Sequence, residues 1–322
     1  SKGPDLLFVE FAVNDGGADP QRIIRAMEGI VRQTWKANPG TDICFVYTIT
    51  EALSPPMLEG KLQRSASAME KVADHYGIPS ITLGMEVAKL AKAGKLLWRA
   101  KLPKTADERA ALADQFVFAP DSTHPHESTG HVLYTQAIVR SLPALAIANA
   151  TPTPHVIGPA LDAANWERAK LVPITGAKLS AGLASADPAT DAHAKVWAKR
   201  LPVMVKLTRP GQSLEFRFQG THCAVYDVVG PAGGKVAVTL DGGKPFVVQR
   251  IDAYGTYPRL STFIVGTDLP EGVHSVRLEL LADPIDKAAV LAKNKNKIDK
   301  PERFAPLEFH PGGLLLVGEL VP

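Results

Sequence analysis

The chain has 322 residues, 45% hydrophobic and 21% charged, which is the profile of an ordinary globular protein long enough for two domains. Its 36 Lys and Arg against 33 Asp and Glu leave a formal charge of +3. That bias is too small to point to nucleic acid or an anionic membrane, and no apolar run approaches the ~20 residues that span a bilayer.

The first half alternates strand and helix. Residues 5–12 read as a buried strand. Asp19 is a plausible N-cap with Pro20 at the first helical position, opening a helix to about Lys36 with a stripe of Ile23, Ile24, Met27, Ile30 and Val31. Strands are expected at 43–49, 80–83 and 116–119, and helices at 57–76, 85–93, 101–115 and 127–140. Continuous apolar strands alternating with helices imply a parallel sheet covered on both faces, with ligands beyond the carboxyl ends of its strands. Asn14-Asp15, Thr50-Glu51 and residues 121–126 should therefore converge on one edge.

Composition shifts after Leu145. Residues 146–169, rich at first in Ala, Pro and Thr, are expected to form a linker between a domain at 1–145 and an all-β domain at 170–322. Strands are expected there at 203–207, 213–218, 223–229, 235–240, 245–251, 260–265, 273–281 and 313–321, with Pro210-Gly211 and Asp241-Gly242-Gly243 as turns. Many short strands at this spacing suggest a β-sandwich or jelly roll. Cys44 and Cys223 fall in strand-like runs of different domains and are expected to be buried free thiols.

Two features carry chemistry. In Asp121-Ser122-Thr123-His124-Pro125, a carboxylate three residues before an imidazole can turn onto Nδ1 and leave Nε2 free as a general base; taken alone, a capping Asp beside a solvated His fits equally well. In Phe11-Ala12-Val13-Asn14-Asp15, an Asn directly after a buried strand can aim its amide at an oxyanion, although an Asn-Asp turn before a helix is the plainer reading. His124-Pro125-His126 also has metal-type spacing, but only Asp121 and Glu127 accompany it, so no metal is expected there.

Together, residues 4–15 and Asp121-x-x-His124-Pro125 with Gly130 resemble the third and fifth signature blocks of the SGNH/GDSL serine esterase superfamily, over roughly residues 4–145. The resemblance implies a three-layer, flavodoxin-like α/β/α fold, His124 as base, Asp121 as its orienter and Asn14 as an oxyanion donor. Block III usually starts with Gly where this chain has Ala12. Blocks I and II, with their Gly-Asp-Ser nucleophile, are absent, and Ser122 and Ser128 sit too close to His124 in sequence to replace it. The nucleophile is therefore expected upstream of Ser1, so that 1–322 alone would be inactive and the strand at 6–12 would have an open side. The activity implied is removal of O-acetyl groups from sugars or polysaccharides without a cofactor. Its rivals are a lipase or thioesterase of the same superfamily and a non-catalytic carbohydrate-binding protein. The expected partner is a small-molecule or polysaccharide ester, with no nucleic acid and no membrane. Family analogy alone suggests a secreted or periplasmic location. In the β-domain, Tyr254 and Tyr257 are expected to pack in the core, with sugar stacking as the alternative, and Lys293 to Lys300 reads as a solvated loop.

Overall fold

The computed structural model describes residues 3–148, 153–180, 183 and 185–322. The chain divides into two compact units, Ser1–Glu167 and Arg168–Pro322.

The first unit opens with strand β1 (Leu6–Val9) and helix α1 (Pro20–Ala37), whose N-cap Asp19 accepts the backbone N–H groups of Gln21 and Arg22. Strand β2 (Asp42–Tyr47) follows, then α2 (Ser54–Leu58) and α3 (Arg64–Tyr76). One helix is expected over 57–76. The chain instead breaks after α2, where Gly60 takes a φ of 76°, and restarts at Arg64. Strand β3 (Ser80–Thr82) and helix α4 (Gly84–Lys92) come next, then β4 (Leu96–Arg99), which the sequence reading misses. The helix expected over 101–115 shrinks to α5 (Ala106–Leu112), fixed at its start by a Thr105–Glu108 capping box. Strand β5 (Phe116–Ala119) and helix α6 (Gly130–Ala148) complete the series.

Strands β1, β2 and β3 form one parallel sheet in that order, and β4 and β5 pair in parallel as a second. Strand β2 is buried on both faces. Ile43, Phe45 and Tyr47 pack with Met27 and Val31 of α1 and Met69 and Val72 of α3, whereas Cys44 and Val46 pack with Val87 of α4 and Leu133 of α6. Continuous apolar sequence thus produces a sheet covered on both sides. Strand β1 differs: it pairs only with β2 among the described strands, and Leu6 and Phe8 remain 43% and 40% exposed.

Part of the segment expected as a linker lies against α1. Trp166 N–H donates to the Arg25 carbonyl, and a Cβ at Gly29 would come within 2.6 Å of the Trp166 backbone. Buried Glu28 accepts the N–H groups of Leu161 and Asp162 and the hydroxyl of Tyr76.

The second unit contains β6 (Ala169–Pro173), β7 (Lys178–Leu179), α7 (Ala192–Trp197), β8 (Ser213–Val229), β9 (Lys235–Leu240), β10 (Phe246–Gln249), β11 (Arg259–Gly266), β12 (Gly272–Leu280), α8 (Lys287–Ala292), α9 (Pro301–Phe304) and β13 (His310–Val321). Its strands form one antiparallel sheet in the order β10-β9-β12-β8-β13-β6, with β11 and β7 also on β8. Residues 213–218 and 223–229, expected as two strands, are one. Gly220 and Gly318 face each other with φ of 150° and 143°. A Cβ on either would meet a carbonyl oxygen at about 2 Å, so only glycine lets β8 and β13 bend together without ending the ladder. The 203–207 strand is reduced to isolated bridges at Val205 and Leu207. The core combines Leu214, Phe216, Phe218, Val236, Leu278, Phe309 and Leu314. Cys44 and Cys223 are buried and free, as expected.

Candidate active site

The loop between β5 and α6 holds the Asp121–His124 pair. Asp121 Oδ1 accepts the N–H of Thr123 at 3.0 Å and that of His124 at 2.8 Å. Its Oδ2 lies 2.6 Å from His124 Nδ1. A carboxylate only accepts, so in the neutral tautomer the proton belongs on Nδ1 and the lone pair on Nε2. These bonds hold the Asp121 carboxyl well below the usual carboxylate range, the backbone N–H of His124 contributing most and its imidazole next. Ser122 takes the left-handed φ of 68° that this tight turn needs.

The surrounding elements fix the loop. Arg99, at the end of β4, donates to Ser122 Oγ at 3.2 Å. His126 is half-buried: its Nε2 bonds the Ala100 carbonyl at 3.0 Å and its backbone N–H donates to the Phe118 carbonyl at 2.8 Å. Thr129 Oγ1 donates to the Val117 carbonyl. Gly130 sits where a Cβ would lie 2.4 Å from Pro125 Cβ and 2.8 Å from the Phe118 carbonyl oxygen. The glycine is therefore required by close approach of helix and loop.

The pair itself is open to solvent, with side-chain exposures of 50% for Asp121 and 82% for His124. Among the described residues no hydroxyl is hydrogen-bonded to His124 Nε2. Asn14 lies exposed in the turn after β1, and its side chain has no hydrogen bond to either member of the pair. The buried Ala12 before it accepts Ser65 Oγ through its carbonyl at 2.5 Å. Thr48 Oγ1 donates to Glu10 at 2.7 Å, joining the ends of β1 and β2, and the Ile49 N–H donates to Tyr134 Oη on α6 at 3.1 Å.

Arg99 is the residue that sequence reasoning missed. Its signal was the short apolar run Leu96-Leu97-Trp98, masked by the charged stretch that follows. In the second unit, Tyr254 and Tyr257 are each 56% exposed rather than in the core, with the Arg259 guanidinium 5.6 and 6.0 Å from their ring centroids.

No protein-family model matches the sequence, and no curated protein matches it. Solved structures do. The chain is similar to a two-domain esterase active on acetylated mannans, with a TM-score of 0.69 and 16% identity, over 100% of this chain and 74% of that one. It is also similar to a two-domain esterase of the same description co-crystallised with mannopentaose, with a TM-score of 0.67 and 15% identity, over 99% of this chain and 73% of that one. At these identities the likeness establishes a shared two-domain fold.

Proposed function

We propose that this chain forms part of a serine ester hydrolase that removes O-acetyl groups from sugars or polysaccharides, and that its first unit is an SGNH-type three-layer domain. The observation that carries the reading is the 2.6 Å Asp121–His124 contact, which turns Nδ1 onto the carboxylate in a braced loop. The fold shared with esterases active on acetylated mannans supports the substrate class. In the proposed reaction a serine Oγ attacks the acetyl carbonyl while His124 Nε2 takes its proton. His124 then protonates the departing sugar hydroxyl, and water repeats the sequence on the acetyl-enzyme. Asn14 donates to the oxyanion of each tetrahedral intermediate.

The serine is placed in a segment preceding Ser1, paired along the free edge of β1. On this reading residues 1–322 by themselves hydrolyse no acetyl ester, and the chain extended by that segment does. His124→Ala in the extended protein lowers turnover of a small acetyl ester by several orders of magnitude. Hydrolysis by residues 1–322 alone would overturn the placement of the serine. Near-normal turnover by His124→Ala would remove His124 from the chemistry.

A further inference from the structure

The second unit contains a group of metal-ligating side chains that the proposed esterase chemistry does not use. One ligand atom from each of Asp191, His193 and His310 lies within 4.8 Å of the other two. Asp191 and His193 stand at the start of α7, and His310 opens β13. The imidazole rings of His193 and His310 have centroids 4.4 Å apart. Glu308 adds a second carboxylate, with Oε2 3.3 Å from His310 Nε2.

His310 provides an independent sign of a missing partner. It is 3% exposed, and its buried Nε2 makes no hydrogen bond: the Glu308 oxygen is near enough but misaligned. An unsatisfied ring nitrogen in a protein interior costs roughly the desolvation of that group unless something binds it. Here it faces a cluster of other donors. Two carboxylates, Asp191 and Glu308, are set against one ammonium, Lys206, whose Nζ is 3.2 Å from Asp191 Oδ2 and 3.4 Å from Glu308 Oε1. The cluster therefore keeps an excess of negative charge beside two imidazoles. Lys206 has the most open side chain of the five, 31% exposed, so its ammonium has a route to water when another cation enters.

We propose that Asp191, His193 and His310, with Glu308 completing the set, bind a divalent transition metal ion such as zinc that fastens α7 to β13. Two imidazoles with carboxylate oxygens suit zinc; bonds of about 2 Å at tetrahedral angles set ligand atoms ~3.3 Å apart, so side chains whose atoms lie within 4.8 Å of one another draw together as the ion binds. Burial lowers the pKa of both histidines; that of His310 falls to about 3, with the nearby His193 and Lys206 adding to the effect. The site is structural: all ligands are protein groups, and its effect is to tie a short helix to the sheet.

The test is titration of the 322-residue protein, stripped with EDTA and dialysed, with zinc chloride. Calorimetry reads the stoichiometry and thermal unfolding reads the shift. One zinc per chain and a rise in Tm are expected. His193→Gln and Asp191→Asn, the latter keeping an acceptor for the α7 N-cap, weaken binding at least tenfold while the metal-free Tm shows that each variant still folds. Cobalt(II) gives the intense visible bands of a tetrahedral site in the wild type and loses them in His193→Gln. Absence of saturable binding, or zinc affinity unchanged in both variants, would overturn the proposal.

Discussion

Asp121→Asn separates the two jobs of one carboxylate. Oδ1 shapes the turn by accepting the Thr123 and His124 N–H groups, and Oδ2 holds the His124 ring. Asparagine has one carbonyl oxygen. Kept on the backbone donors, it preserves the turn and leaves an NH₂ facing Nδ1 at the position of Oδ2. A donor there forces Nδ1 to accept, so the imidazole carries its proton on Nε2 and can no longer take one from a nucleophile. Loss of the correct tautomer costs about 10⁴ in kcat in comparable triads, or ~5.5 kcal/mol at 1.36 kcal/mol per tenfold. Charge contributes less, because Asp121 and His124 are 50% and 82% exposed and water screens them.

The assay is kcat and KM for an aryl acetate and an acetylated mannan, using the protein extended by the proposed nucleophile segment, beside a thermal melt. A kcat about 10⁴ lower with only a small drop in Tm at pH 7 is expected. The lowered Asp121 pKa sets the pH window for stability: its contribution is complete above the ordinary carboxylate pKa and is lost as pH falls through the depressed folded value. The small difference in stability between wild type and variant therefore stays constant from neutral pH down to about pH 5, and closes only in strong acid. A folded Asp121→Asn protein with kcat within tenfold of wild type would refute the tautomer argument.

Asn14→Ala in the same extended protein should lower kcat by ~10²–10³ with little change in KM, since an oxyanion donor acts on developing charge; a raised KM with kcat intact would make Asn14 a ground-state contact. Gly130→Ala should lower stability by roughly 1–3 kcal/mol, measured by urea unfolding, because its methyl group has no room beside Pro125 and the Phe118 carbonyl; an unchanged midpoint would mean the loop yields freely. Asp227→Asn strands the Arg250 guanidinium, which makes bonds of 2.6 and 2.7 Å to both Asp227 oxygens in the interior of the second unit, and should cost ~3–5 kcal/mol in the same assay.

Periodicity and caps made most elements of the first unit legible. Asp19-Pro20 opens α1 where the sequence places it because the cap satisfies backbone donors locally. Elements decided by tertiary contact were less legible. Strand β4 is four residues followed by charge, and its identity depends on pairing with β5. Apolar residues recur at helical spacing from Met57 to Tyr76, and the Gly60 turn interrupts them. In the second unit, a glycine bend reads as a break in one dimension and is a shared bend of two paired long strands in three. Asp121 and His124 were visible because they share one loop. Asp191, His193 and His310 were not, because β13 brings them together from distant stretches of chain.

The exposure of the dyad bears on what else the proposed site must contain. A hydrogen-bonded Asp–His pair surrounded by water gains little from electrostatics, since the field of its donors is screened and its Nε2 competes with solvent for protons. Catalysis needs a wall on the open side that excludes water and carries the hydroxyl to within about 3 Å of Nε2. The free edge of β1 is suited to supply it. A strand added there in parallel lies about 4.8 Å away and ends on the same side as β1, where Asn14 already stands. A serine in the turn after such a strand then shares a sheet edge with the proposed oxyanion donor, whereas an antiparallel strand ends at the opposite edge. The same addition caps the β1 backbone groups that pair with no described strand and covers Leu6 and Phe8. A strand added beside β1 would thus serve both the stability of that sheet edge and the proposed chemistry.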